Sequence, residues 1–404
     1  MLRGAIIAQG IAFAALPVMS RLYSPDAFGT LQSMLSIVTL LLVGSSLRFE
    51  IAILSAKRHQ LRHIVKACLV LCFVTGALSL VIVTALWFAF PALVLKFGAY
   101  VFLIPLTLLL SGLGQVVNNV CLRLKTLSKI ANGKIGQSGA YVAVSIGAGA
   151  VLPSTLSLVV ADACGRAALL IFSVKSEVAR FLRALPAMGR RTLAVCRIHR
   201  HLPLLSMPSA LINVLGSSFT SVMLLAVFHA GEAGNYALID RALGAPITML
   251  ATAQSQAFMS FLANNDADGA PRVKLMEIAR FNALVGLVPM IICLFAGPKL
   301  VVWILGQDWE VAGRFVQVLA PLYYITFITT PFNMTLVIMG KQGWQLLWDI
   351  ARLAALALMW LFIIKMKLGS MSAVILFGVI SSLLYLIHIT LSYVLLSPVA
   401  KGRG

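Results

Sequence analysis

The chain has 404 residues, of which 60% are hydrophobic and only 11% charged, with a mean hydropathy of +0.98. Soluble domains carry about 25% charged residues, so this composition excludes an ordinary soluble protein. The net charge of +20 comes from 32 Lys and Arg against 12 Asp and Glu. Because basic residues collect in the inner loops of membrane proteins, we attribute this excess to membrane topology and not to nucleic-acid binding.

Apolar runs of membrane length recur along the whole sequence. A bilayer core of about 30 Å needs about 20 apolar residues of helix, and these runs do not alternate as the strands of a barrel would. We therefore predict an all-α polytopic membrane protein with twelve transmembrane helices. In chain order the predicted spans cover residues 2–20, 28–47, 64–90, 100–122, 136–152, 155–173, 204–228, 234–261, 276–297, 313–339, 344–364 and 371–396.

The basic residues predict the orientation of these spans. With the N-terminus inside, 23 of the 32 Lys and Arg fall in inner segments, seven fall in outer segments and two lie within spans. This bias predicts that both termini are cytoplasmic.

The longest gap between spans covers residues 174–203 and carries seven Lys and Arg. It also contains apolar residues, among them Phe181, Leu182 and Val195. This pattern predicts either an amphipathic segment along the inner membrane surface or a disordered basic linker. In both cases it separates an N-terminal six-helix lobe, residues 1–173, from a C-terminal six-helix lobe, residues 204–404.

The two halves contain similar short sequences. Asp26-Ala27-Phe28-Gly29 is similar to Glu232-Ala233-Gly234, and Pro105-Leu106 at the start of span 4 is similar to Pro321-Leu322, which we place at the start of span 10. Duplicated lobes around a midplane site are a transporter architecture. The repeats therefore predict two pseudo-symmetric lobes.

Charged residues inside spans mark candidate functional positions, because a charge near the bilayer centre costs about 2.5–3.5 kcal/mol without a partner or water. Asp162 and Arg166 are four residues apart and can pair on one helix face; they are either a coupling or gating pair or a structural pin between helices. Arg48 and Glu50 are two residues apart, so the helix breaks there or their side chains diverge.

A third charged group begins span 8. Asp240 and Arg241 are adjacent there, and Pro246 predicts a kink nearby. Arg21 lies at the corresponding place in the first half. Arg21 and Arg241 either face a shared cavity or anchor the chain at the outer interface.

The sequence predicts neither a catalytic residue nor a metal site. None of the six cysteines forms a CxxC pair, and no nucleotide-binding loop, HExxH or GxSxG motif occurs. The chain is therefore predicted not to be an enzyme. An integral-membrane glycosyltransferase or polymerase is the enzymatic alternative, and the short outer loops disfavour it.

Several blocks resemble a known family. The stretches at residues 8–13 and 16–29 resemble the start of bacterial polysaccharide flippases of the Wzx type, and residues 46–53 are similar to their second-helix signature. Residues 205–211 and 319–323 add weaker matches. The resemblance implies the MATE-like fold of the multidrug, oligosaccharidyl-lipid and polysaccharide exporter superfamily.

The resemblance also implies a substrate and a direction. The substrate would be an O-antigen (lipopolysaccharide) or exopolysaccharide repeat unit on polyprenyl pyrophosphate, such as undecaprenyl pyrophosphate. It would pass from the cytoplasmic to the periplasmic leaflet of a bacterial inner membrane by alternating access.

The implied site is a cationic central cavity. Related peptidoglycan-precursor flippases use arginines of their first, second and eighth helices, and the matching positions here are Arg21, Arg48 and Arg241. Arginine is suited to phosphate because its planar fork donates two parallel hydrogen bonds. The amides that we expect to contact sugar hydroxyls are Gln115, Asn118, Asn119 and Gln254.

The energy source and partners stay open. One candidate energy source is an H+ or Na+ gradient, with Asp162 or Asp240 as the residue that carries the ion. Glu50 and Arg166 are further candidates for coupling or gating. The other candidate energy source is downstream use of the substrate. No cofactor is expected. The expected partners are the lipid-linked glycan, membrane lipids, a polysaccharide polymerase and a chain-length regulator. The alternative function is an ion-coupled multidrug exporter of the same fold.

Overall fold

The computed structural model describes residues 2–89, 98–175, 177–264, 270–332, 335–338 and 341–395. The α-helices, numbered in chain order, are α1 (Leu2–Leu22), α2 (Pro25–Gly44), α3 (Phe49–Ser55), α4 (Arg58–Ala89), α5 (Ile104–Arg123), α6 (Leu127–Val151), α7 (Thr155–Ser173), α8 (Glu177–Arg183), α9 (Arg190–Ile198), α10 (Met207–Val227), α11 (Ala230–Ile239), α12 (Ala245–Asn264), α13 (Ala270–Leu305), α14 (Glu310–Thr329), α15 (Thr335–Ile338), α16 (Gln342–Lys365) and α17 (Ser370–Leu395). Short 3-10 segments cover Gly98–Leu103, Gln307–Trp309 and Thr330–Phe332, and π-helical segments cover Leu202–Ser206 and Asp240–Gly244.

The predicted all-helical membrane fold is confirmed. Ten helical stretches of the described residues are long and apolar enough to cross a membrane. The other two long stretches are α6 and the run from α11 through α12, and each of the twelve predicted spans coincides with one of these twelve stretches. The predicted span ends at residues 90, 339 and 396 lie outside the described residues.

Several helices begin earlier than the apolar runs predict. Span 3 was placed from residue 64, but α4 begins at Arg58, and span 5 was placed from residue 136, but α6 begins at Leu127. In α4 the buried residues Leu61, Ile64 and Cys68 recur at helical spacing, so tertiary packing extends the helix past the apolar run. Hydropathy locates the membrane part of such a helix and misses its extension.

One of the predicted repeats is wrong in detail. Pro105 lies in the first turn of α5, where its missing N–H is harmless. Pro321 does not open its helix, because α14 begins at Glu310 and contains this proline in its interior. The two prolines therefore do not hold equivalent positions.

The structure divides into two compact units, Met1–Ser218 and Phe219–Gly404. In the first unit, α6 packs along α7 and α1, and α5 packs against α4 and α7. In the second unit, α13 packs along α14, and α14 also contacts α17 and α11. Large apolar side chains remain exposed on long helices of both units, such as Phe88 at 80% and Phe295 at 78%, as expected for surfaces that face lipid.

The basic segment between the predicted lobes contains α8 and α9, with a non-helical stretch at residues 184–189 between them. Its apolar residues pack against the first unit: Val178 and Val195 are buried in a cluster with Ile64 and Val120, and Phe181 packs against the same cluster. The ring Nδ1 of His63 on α4 lies 2.9 Å from the hydroxyl of Thr192 on α9. Leu193, in contrast, is 60% exposed.

Candidate functional site

The helix that carries the second-helix signature breaks as the Arg48–Glu50 spacing predicts. α2 ends at Gly44, and the backbone then turns through Leu47 (φ 51°) and Arg48 (φ 64°) before α3 begins. Both residues are in the left-handed region, which costs a residue other than glycine about 1–2 kcal/mol. This break lets Arg48 and Glu50 face each other, with Arg48 Nη1 3.5 Å from Glu50 Oε1.

Glu50 is buried and fully engaged within the first unit. The residue is 2% exposed. Its carboxylate accepts a short hydrogen bond from the Ser46 hydroxyl and a 3.3 Å bond from the Gln115 side-chain amide of α5. A buried carboxylate requires such donors and a cation, because desolvation of the charge is otherwise prohibitive.

The predicted pair on α7 is also formed. Arg166 Nε donates to Asp162 Oδ2 at 2.6 Å, and Arg166 Nη2 donates to Asp162 Oδ1 at 3.3 Å. The remaining guanidinium nitrogen, Nη1, donates to the hydroxyl of Ser111 on α5. The i, i+4 spacing alone predicted the ion pair, whereas the contact with Ser111 depends on tertiary packing.

These contacts form one polar array in the first unit. Ser111 and Gln115 lie one turn apart on α5, so the helix bonds to Arg166 through one residue and to Glu50 through the other. We call this set the N-terminal polar array: Arg48, Glu50, Ser111, Gln115, Asp162 and Arg166. It contains two arginines and two carboxylates, so its formal charges balance.

Two atoms of the array have unused hydrogen-bonding capacity. Arg48 Nε and Gln115 Oε1 are buried and have no hydrogen-bond partner among the described residues. The half-buried Asn118 and Asn119 follow Gln115 by three and four residues on α5, which places them near its face. Sequence reasoning missed Ser111, although its spacing from Gln115 and Asn118 marks a polar face on α5.

Arg21 is not part of this array. It lies in the last turn of α1, where a cation is favourable beside the helix C-terminus, and its side chain is exposed. Among the described residues Arg21 has no ion pair.

Arg241 lies at a second irregularity, in the second unit. The π-helical segment Asp240–Gly244 separates α11 from α12, and Pro246 follows two residues after it. Proline lacks the N–H of a normal helical turn, and a π turn is one way to accommodate the gap. Arg241 is half-buried, and the exposed Asp240 accepts a 3.3 Å hydrogen bond from the Tyr323 hydroxyl.

Gln254 belongs to a different buried network, which the sequence did not predict. Its amide exchanges hydrogen bonds of 2.9 and 3.1 Å with Asn282 of α13, and its carbonyl accepts from the hydroxyl of Thr330 at 2.5 Å. Asn282 is fully buried and also donates to the Phe327 carbonyl. The role of Gln254 as a sugar contact therefore stays a prediction that requires these internal bonds to open.

Comparison with solved structures establishes the fold class. The chain matches a multidrug resistance MATE family transporter of the MOP superfamily in its inward-facing conformation, with a TM-score of 0.72, 12% identity, and coverage of 98% of this chain and 94% of that one. It also matches a MOP superfamily transporter from Pyrococcus furiosus, described as having a binding pocket of reverse polarity, with a TM-score of 0.60, 13% identity, and coverage of 98% and 94%. A third match is the MATE multidrug transporter DinF-BH, solved as a complex, with a TM-score of 0.60, 15% identity, and coverage of 97% and 91%. The chain thus has the MATE-like fold of this transporter superfamily.

The sequence comparison then gives the family. A family model described as "Polysaccharide biosynthesis protein" matches residues 18–314, and the chain belongs to this family. The search of curated proteins gave no match. The chain is therefore a multi-pass helical membrane protein of a polysaccharide biosynthesis family.

Proposed function

We propose that this protein is a flippase for a polyprenyl-pyrophosphate-linked oligosaccharide, such as an O-antigen or exopolysaccharide repeat unit. It moves the lipid-linked glycan from the cytoplasmic to the periplasmic leaflet of a bacterial inner membrane, with both termini cytoplasmic. Membership in the polysaccharide biosynthesis family supports a glycan as the substrate. The transporter fold supports movement without covalent chemistry.

The observation that carries the proposal is the state of Arg48. This arginine lies at the break between α2 and α3, and its Nε is a buried donor with no partner among the described residues. A buried unused donor is costly, and a phosphate oxygen would satisfy it. Discontinuous helices with cationic or amide groups at the break are typical of anion sites in transporters.

The neighbouring acid gives this site a way to release its ligand. Glu50 holds Arg48 at 3.5 Å, a distance longer than a good charge-assisted hydrogen bond. A pyrophosphate and Glu50 therefore compete for one guanidinium. Such competition keeps the empty site electrically neutral and limits the affinity for the anion, as turnover requires.

The amides of α5 supply the sugar contacts in this proposal. Gln115 Oε1 lacks a hydrogen-bond partner among the described residues, and the half-buried Asn118 and Asn119 follow it on the helix. In the second unit Arg241, at its π turn, is proposed as the second phosphate contact. Asp162 and Asp240 remain the proposed carriers of a coupling H+ or Na+.

The alternative is export of drugs, for which two of the matched transporters are named. A site for a cationic drug requires an acid that is free to bind it. Here Glu50 and Asp162 each pair with an arginine, which favours the anionic substrate.

Reconstituted vesicles separate these functions. The purified chain is placed in liposomes that contain a polyprenyl-pyrophosphate-linked oligosaccharide in both leaflets, and an impermeant glycosidase outside reports how much of the glycan is reachable. We expect protein-containing vesicles to expose nearly all of the glycan, whereas empty vesicles expose only the outer half. Unchanged glycan exposure together with pH-driven accumulation of a cationic dye would instead establish the drug exporter.

A further inference from the structure

A second group of cations lies apart from the N-terminal polar array, where α4 begins and α5 ends. These residues line a cavity of about 850 Å³. The basic residues of its wall are Arg58, His59, Arg62, His63, Arg123 and Lys125. None of the lining residues is acidic. Along α5, Arg123 is eight residues from Gln115, or about 12 Å at the rise of an α-helix, so this is a separate site.

One arginine of the cavity is fixed and the other cations are available. Arg123 donates 2.7 Å hydrogen bonds to the carbonyls of Leu54 and Ala56 at the end of α3, so it builds the wall. Arg58, Arg62 and Lys125 are exposed, and their side chains have no ion pair or hydrogen bond among the described residues. Three uncompensated cations in one hollow repel one another, and a bound anion would remove that repulsion.

The segment that joins the predicted lobes supplies part of the wall of this cavity. Phe181, Ala184 and Pro186 are its lining residues from that segment. Apolar walls lower the local dielectric and strengthen the attraction of the cations for an anion. The first turn of α4 adds backbone N–H groups and the positive end of a 32-residue helix.

We propose that this cavity binds the phosphate of a membrane lipid whose headgroup has a net negative charge. The position of the cavity is suitable for a lipid headgroup. α4 and the stretch Gly98–Arg123 are candidate membrane spans, and the cavity lies at the first turns of α4 and at the C-terminal end of that stretch. The chemistry of the side chains is suitable, because the planar guanidinium of arginine donates two parallel hydrogen bonds to phosphate oxygens. Binding at this site does not require the proposed transport activity, so the two proposals fail separately.

Two lipids present this chemistry. An anionic phospholipid would act as a bound structural lipid, and a polyprenyl pyrophosphate would be a substrate that docks before translocation. If the proposed function is correct, the second source makes the cavity an entry site for the substrate. The experiment therefore uses farnesyl pyrophosphate and phosphatidylglycerol as probes. Zwitterionic phosphatidylcholine, which has a phosphate but no net charge, is the comparison.

The variant R58Q/R62Q removes two exposed charges from the cavity. Its matched control is R190Q/R191Q, which removes two exposed arginines of α9 that do not line the cavity. The full chain in detergent is titrated with each probe, and thermal unfolding reports binding, because a ligand of the folded state raises the melting temperature. A second variant, K125Q, repeats the test at a single exposed position outside any helix.

We expect farnesyl pyrophosphate, phosphatidylglycerol or both to stabilise the parent chain. R58Q/R62Q should weaken that binding about tenfold or more, since each basic residue near an anionic lipid strengthens binding about fivefold. K125Q should weaken it less, and R190Q/R191Q should leave it unchanged. If R58Q/R62Q weakens the binding of either probe, the result supports the proposal, and the probe affected identifies the lipid. Equal binding by all four proteins, or stabilisation by phosphatidylcholine alone, would overturn it.

Discussion

Glu50 is the residue on which the geometry of the N-terminal polar array depends most. It is buried and bonds to Ser46, Arg48 and Gln115. Glu50→Gln leaves the Arg48 charge without its counter-ion, and removal of one partner of a buried pair is costly. We expect E50Q to lose about 1–3 kcal/mol of stability, measured by thermal or denaturant unfolding in detergent.

A double-mutant cycle tests whether this loss comes from the ion pair. R48Q/E50Q removes both charges and should recover part of the stability that E50Q loses, because coupled neighbours are not additive. Strictly additive effects of R48Q and E50Q would show that the 3.5 Å contact contributes nothing to stability.

Asn282 and Asn118 allow a comparison between a structural amide and a proposed functional one. Asn282 is fully buried and bonds to Gln254, Phe327 and Thr330, so N282A should destabilise the protein by about 1–2 kcal/mol. Asn118 is half-buried and has no hydrogen-bond partner among the described residues, so N118A should change stability little and lower the rate of glycan translocation. Unfolding curves and the vesicle assay together separate the two effects.

The sequence predicted only those contacts that local geometry determines. Asp162 and Arg166 were predictable because helical spacing brings them together without knowledge of any other helix. The bonds of Gln115 to Glu50 and of Ser111 to Arg166 connect different helices, and no period in one sequence reports such packing. The burial of Asn282 was missed for the same reason.

At the scale of elements, both proposed phosphate-binding arginines lie where helical geometry is interrupted. Arg48 is the second of two left-handed residues that precede α3, and Arg241 lies in the π turn before Pro246. At the first place the sequence predicted either a break or diverging side chains, and at the second it predicted a kink. It did not predict the π turn, because a one-residue insertion rotates the hydrophobic pattern by about 100°, and this rotation is hard to see in a membrane helix that is apolar on most faces.

Replacement of Pro246 tests what the π turn does. P246A restores an N–H and permits an ordinary α-helix through residues 240–244, which would rotate Arg241 by about 100° relative to α12. We expect normal amounts of protein in the membrane but reduced translocation of the glycan in the vesicle assay. Unchanged translocation would mean that the position of Arg241 in the turn is unimportant.

Left-handed lysines end two of the long helices. Lys125 follows α5 and Lys367 follows α16, each with the hydrogen bonds of a glycine-type C-terminal cap. Glycine has no steric penalty there, so K367G should stabilise the protein by about 1 kcal/mol. K125G should give a similar gain in unfolding experiments while it weakens binding at the basic cavity. A loss of stability in both variants would show that left-handed backbone strain at these two caps is negligible.

At the scale of the whole molecule, composition and spacing of apolar runs were sufficient for the fold class. Twelve membrane-length helical stretches follow from hydrophobic length alone, and the matched transporter structures confirm that fold. The positions of helix ends were less predictable, as α4 and α6 show, because packing outside the bilayer determines them. The roles of the predicted site residues stay predictions.

The central claim is that an arginine at a helix break in each unit binds the phosphates of a lipid-linked glycan. The most direct test is the translocation rate of a polyprenyl-pyrophosphate-linked oligosaccharide in vesicles that contain R48Q/R241Q, compared with R190Q/R191Q at equal protein content. We predict that R48Q/R241Q reduces the rate to that of empty vesicles and that R190Q/R191Q retains the parent rate. A parent-like rate in correctly folded R48Q/R241Q would contradict the claim.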